Sequence, residues 1–123
     1  SNEVVVVDYK ATSNKYGVDY VNSTMGYHKA YLRQLDFYAY LLKLNKFKVF
    51  KTGYWFVCNA QYKDQKTFSG NLNFKIDLLS YDVKTDYIED TLVELEKCYN
   101  GNKIPQPSAV CDTCRWQKET LKL

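Results

Sequence analysis

The chain has 123 residues, 46% of them hydrophobic and 25% charged, with a net charge of +3. This gives one domain near the lower size at which a chain buries its own core, with the balance of a globular rather than a disordered protein. No apolar run approaches the roughly 20 residues of a membrane helix, and the opening run, Val4 to Val7, is too short for a secretory signal. A reduced, cytoplasmic setting is therefore expected, with no membrane and with Cys58, Cys98, Cys111 and Cys114 as thiols.

Residues 3–9 (EVVVVDY) are β-branched and continuously apolar, the pattern of a strand buried on both faces. Residues 11–25 are polar and broken and read as a loop. From about Gly26 to Lys43 the spacing turns helical, with Tyr27, Tyr31, Leu35, Tyr38 and Leu42 three or four residues apart. His28 falls on the surface of that helix. Residues 48–60 (KVFKTGYWFVCNA) and 72–80 (LNFKIDLLS) read as strands, the first with Gly53 as a bulge. The polar stretch Lys63–Gly70 between them favours an antiparallel pair.

A second helix is predicted from about Thr85 to Tyr99. Asp86 and Glu89 stand three apart as in a capping box, Ile88, Leu92, Leu95 and Tyr99 form one stripe, and Gly101 stops the helix. Pro105 and Pro107 then extend the chain toward a C-D-T-C tail. The order strand, helix, strand, strand, helix, tail is that of an α/β layer fold without internal repeats.

Asp8-Tyr9-Lys10 is the first place to look for chemistry. Residues 8 and 10 point to the same face of a strand, so a carboxylate and an ammonium converge there. Phosphodiester hydrolysis uses such a pair, the carboxylate to hold a divalent cation and the lysine to orient or activate water. The tripeptide alone does not decide, because D-x-K recurs at Asp64–Lys66 and Asp82–Lys84. The plain alternative is a salt pair at a strand end.

The surroundings narrow the choice. The strand Glu3–Thr12 (EVVVVDYKAT) runs into D-Y-K, and Tyr31–Lys43 (YLRQLDFYAYLLK) carries Gln34 and Tyr38 one helical turn apart. With the later strand-strand-helix-proline-C-x₂-C order, this resembles the RecB-like branch of the PD-(D/E)XK nuclease superfamily, where a (D/E)-x-K strand precedes a helix bearing Q-x₃-Y. The resemblance implies an α/β, restriction-endonuclease-like core acting on DNA with Mg²⁺ or Mn²⁺. It makes Asp8 and the Tyr9 backbone carbonyl metal ligands and Lys10 the catalytic lysine, with Gln34 and Tyr38 supporting the site. The family carries a further acidic residue on the strand before D-x-K, and this sequence begins at the D-x-K strand. Residues 1–123 are therefore expected to be one truncated domain holding a partial core. Alone it is expected to be inactive, completed by the rest of a longer nuclease or by a partner chain. A sheet short of strands would expose an edge, which suits a homo-oligomer.

Lys43, Lys46, Lys48 and Lys51 run without an intervening acid and could face DNA phosphates. The ordinary reading is a solvated helix end leading into a lysine-protected edge strand. Cys111 and Cys114 form a half-site for zinc or an iron–sulfur cluster. No cysteine follows Cys114, so a complete [4Fe–4S] cluster is not expected from this chain, and Cys58 and Cys98 read as core and helix-face residues. The rival to a nuclease is a silent module that keeps the fold and binds DNA or a protein partner. A small zinc-binding interaction domain is a third reading.

Overall fold

The computed structural model describes residues 2–14, 28–61, 67 and 69–121. The expected helix start at Gly26 and Tyr27, much of the 11–25 loop and most of the 63–70 connection lie outside the described residues. The elements are β1 (Val7–Thr12), α1 (His28–Leu44), β2 (Thr52–Ala60), β3 (Phe74–Asp82), α2 (Ile88–Tyr99) and α3 (Asp112–Leu121). The fold is α/β, with a three-stranded mixed sheet and the order expected of a partial restriction-endonuclease-like core. Among the described residues no helix is long and apolar enough to cross a membrane.

The chain forms two compact units, Ser1–Ile88 and Glu89–Leu123. In the first, the strand order is β1-β2-β3. β1 runs parallel to β2, from Val7 beside Tyr54 to Thr12 beside Asn59. Parallel neighbours need a crossover, and α1 lies in that connection. β2 and β3 are antiparallel as expected, from Thr52 beside Asp82 to Ala60 beside Phe74. That register is unbroken, so Gly53 is not a bulge. It is a point of close approach, where an added Cβ would lie 3.2 Å from Val83 Cγ1 and 3.3 Å from the Val6 carbonyl.

Side chains alternate across the sheet. Val6, Trp55 and Val57 face α1 and form the core with Leu35 and Ala39; Tyr31, Leu32, Leu42, Leu79 and Tyr81 pack around them. On the other face Val7, Tyr9, Phe56, Ile76 and Leu78 are exposed. β1 is thus buried on one face, not two. Its run of four valines fooled the periodicity argument because one sheet face remains open among the described residues. His28 is also a correction, since it is buried rather than on the surface, with its ring stacked against Tyr31 at 6.0 Å.

The end of α1 explains the lysine segment. Phe47 N–H donates to the Leu42 carbonyl and Lys46 N–H to the Lys43 carbonyl, with Lys46 at φ 65°. This is a Schellman stop with a lysine where glycine is usual. The chain then enters β2, which is the middle strand and not an edge.

α2 begins at Ile88, a turn later than expected, and the rest of it belongs to the second unit. Its stripe is exposed beyond Ile88, at Leu92, Leu95 and Tyr99. Gly101 N–H donates to the Cys98 carbonyl as the helix ends. The tail is not irregular, because residues 112–121 fold as α3.

Candidate active site

The strand register places Asp8 level with Trp55 and Lys10 level with Val57, on the face covered by α1. Gln34 and Tyr38 sit one turn apart on α1, beside the helix stripe that packs on the core. The four residues meet. Lys10 Nζ lies 2.8 Å from Asp8 Oδ2 and donates to Gln34 Oε1 at 2.6 Å. Gln34 Nε2 donates in turn to Tyr38 Oη at 2.7 Å. The Lys10 ammonium also stands over the Tyr31 ring, 4.5 Å from its centroid, a cation–π contact. Asp8 and Lys10 are the second and fourth residues of β1, and their side chains are only 13% and 17% exposed.

Two features of this cluster bear on chemistry. Asp8 Oδ2 is buried, and among the described residues its one close partner is the Lys10 ammonium. It therefore keeps lone pairs free. Among the described residues no group of three His, Cys, Asp or Glu surrounds a point where a cation could sit. Mg²⁺ does not require such a cage, because it binds through one or two carboxylates and retains water. Asp8 with the neighbouring Tyr9 carbonyl fits that mode of binding.

Reading the sequence missed Tyr31 as a wall of the site and Asp36 as its counterpart. Tyr31 was detectable, since it precedes Gln34 by three positions and so shares its helix face. Asp36 is 3% exposed and accepts from Lys84 N–H at 2.7 Å, Tyr87 Oη at 3.0 Å and Tyr81 Oη at 3.3 Å. Burial first, and then the Asp36 carboxylate, push the Tyr81 phenol up to about 12. The Tyr87 phenol rises for the same reasons. These bonds also account for the late start of α2, because Lys84 and Tyr87 are tied to α1. No pattern in the sequence marks Asp36, whose partners lie 45 to 51 positions away.

The lysines are not part of this cluster. Lys48 pairs with Glu3 at 3.2 Å, and Lys43 donates to Thr85 Oγ1 at 2.8 Å. Val4 N–H donates to the Lys48 carbonyl, and Val83 N–H to the Lys51 carbonyl. Lys48 therefore sits level with Val4, about 20 Å along the strand from Lys10 at roughly 3.3 Å per residue. Cys111 and Cys114 lie together in the second unit, where the Cys114 N–H donates to Cys111 Sγ at 3.4 Å. Cys58 is buried and Cys98 exposed, as expected.

Comparisons with curated proteins and with solved structures gave no match. A family model described as the PD-(D/E)XK nuclease superfamily matches residues 1–118. Nucleases of this superfamily act on nucleic acid and in general use divalent metals such as Mg²⁺. The match spans nearly the whole chain and includes the Asp8-x-Lys10 strand with the helix that holds its lysine, and on it the chain belongs to the PD-(D/E)XK nuclease superfamily.

Proposed function

We propose that this chain is the metal-binding half of a RecB-like DNA nuclease that hydrolyses phosphodiester bonds with Mg²⁺ or Mn²⁺ in the cytoplasm. The observation that carries the reading is Lys10, held between Asp8 Oδ2 and Gln34 Oε1. Asp8 and the Tyr9 carbonyl would hold the cation. A divalent metal bound there supplies Lewis acidity toward the phosphate and lowers the pKa of the attacking water.

The chain's own residues supply orientation. An ammonium has three donors, and two of those on Lys10 point to Asp8 and Gln34, leaving one for a water or a phosphate oxygen. Because Gln34 receives Lys10 on its oxygen, its amide nitrogen must face Tyr38. Tyr38 Oη then acts as the acceptor, and its own proton is free to reach a DNA backbone oxygen. Lys48, some 20 Å from Lys10 by strand length, would meet the backbone several nucleotides from the cut. Remaining coordination falls to water and to a carboxylate from beyond the described residues or from a partner chain, including a second copy.

The test compares wild type with Asp8→Ala and Lys10→Ala in the full reading frame, by cleavage of linear DNA with Mn²⁺ and by calorimetric Mn²⁺ titration. Metal-dependent cleavage lost in both variants, with Mn²⁺ affinity reduced in Asp8→Ala, supports the proposal. Salt-sensitive DNA binding that both variants retain, with no cleavage in any of the three, would favour the silent binding module.

A further inference from the structure

The second unit holds a pair of groups that the nuclease chemistry leaves unused. Cys111 immediately precedes α3, and its carbonyl accepts the Arg115 N–H at 3.0 Å, the first bond of the helix. Its sulfur accepts the Cys114 N–H at 3.4 Å. Cys111 is thus the N-cap of α3, with sulfur where serine or aspartate usually places oxygen. Cys114 is three residues on, one turn along the same face, and its thiol donates to the Cys111 sulfur. Both side chains are half-buried and reachable from solvent.

We infer that Cys111 and Cys114 form a redox-active dithiol that exchanges with anionic low-molecular-weight disulfides, Cys111 attacking and Cys114 resolving. An i, i+3 pair brings the two Cβ atoms to about 5–6 Å, close enough that a small shift of the first turn reaches disulfide geometry. Two thiols alone cannot complete the four-ligand shell of a structural zinc, and no third His, Cys, Asp or Glu joins them among the described residues. A cavity of about 250 Å³ is lined by both cysteines together with Ser108, Ala109, Arg115 and Lys118. Arg115 is paired with Asp112 at 2.7 Å. Lys118 gives the cavity a cation that suits the carboxylates of a peptide-like disulfide such as oxidised glutathione.

The two sulfurs are unlike, which sets the direction of attack. The Cys114 N–H, and after it the Cys114 thiol, hold the Cys111 thiol below its ordinary value, against opposition from burial and the Asp112 carboxylate. Donation to Cys111 holds the Cys114 thiol above its own. In the first step the Cys111 thiolate attacks one sulfur of the disulfide R–S–S–R. A Cys111–S–S–R bond forms, the R–S–S–R bond breaks and one RS⁻ leaves. Cys114 then loses its proton to solvent and attacks Cys111 Sγ, giving the Cys111–Cys114 disulfide and a second RS⁻. Two electrons pass from the protein dithiol to the small disulfide.

The full chain is incubated with reduced and oxidised glutathione, quenched in acid, alkylated and mapped by peptide mass spectrometry, with exposed Cys98 as the internal control. The Cys111–Cys114 disulfide is expected as the main oxidised product, with Cys98 still a thiol. Cys114→Ser, which cannot resolve the adduct, should trap glutathione on Cys111 roughly fivefold faster than on Cys98. Cys111→Ser keeps a good N-cap and should remove the disulfide without unfolding α3, as checked by circular dichroism. Equal trapping at Cys98 and Cys111 in Cys114→Ser overturns the inference. So does purified protein with both thiols occupied by stoichiometric zinc or iron.

Discussion

Helix α1 makes a polar junction on each of its two sides, and the two are built to opposite rules. Gln34 reaches toward β1 and receives Lys10, while Asp36, two residues on and so about 200° around the helix, reaches toward the β3 side and receives Tyr81, Tyr87 and the Lys84 N–H. Asp36 is buried and accepts three hydrogen bonds, which fix it in place. Asp8, on the Gln34 side, has among the described residues only Lys10 against its buried oxygen, and that lysine keeps a donor to spare. A carboxylate with three donors holds a structure together; one whose single close partner is a cation is open to a ligand. The difference between anchor and candidate site lies in the number of partners each carboxylate already has.

The comparison can be broken at either end. Its largest expected effect is on cleavage, where Lys10→Ala should lower the metal-dependent rate on the order of 10³-fold. Asp36→Ala should leave that rate nearly unchanged and act on stability instead. It strands two phenols and a backbone N–H, at about 3 kcal/mol, read as a lower urea midpoint at constant slope. Gln34→Ala, although only two residues away, should cost less than about 1 kcal/mol, and a loss matching that of Asp36→Ala would erase the distinction.

A smaller effect separates the two sides by pH. Tyr81 is held protonated to about 12 in the fold against an ordinary value of 10.0, so the native state keeps a proton that the unfolded chain releases. Its contribution is whole below pH 10 and is lost as pH rises through the folded value. Asp36→Asn, which removes the charge raising both phenols, should flatten this alkaline decline in a series of unfolding curves. Smallest is Lys46→Gly, which relieves the left-handed residue at the end of α1. It should raise stability by roughly 0.5–1 kcal/mol, and any accompanying fall in DNA affinity would measure what that lysine gives to phosphate contact.

The sequence made one junction legible and hid the other for a physical reason. Asp8, Lys10, Gln34 and Tyr38 sit at short, periodic spacings, so strand and helix geometry alone places each pair on one face. Asp36 lies in the same helix but meets partners from β3 and the turn beyond it, and its register against them depends on how α1 lies across the sheet. Element order was likewise readable from periodicity. The errors came where a local pattern has two tertiary outcomes: valines suit a strand covered on one face or both, glycine in a strand marks a bulge or a close approach, and a histidine at a helix start points inward or outward.

The parallel pairing of β1 with β2 has a consequence in time. Ala60 finds Phe74 across a short connection, whereas Val7 must find Tyr54 with all of α1 between them. Loop closure disfavours the longer search, so the β2–β3 hairpin should form first and β1 dock late. Asp8 and Lys10 ride on β1. A chain in which β1 has not yet docked therefore lacks the Lys10–Gln34 bond, so the lysine reaches its final position only once the rest of the unit is in place.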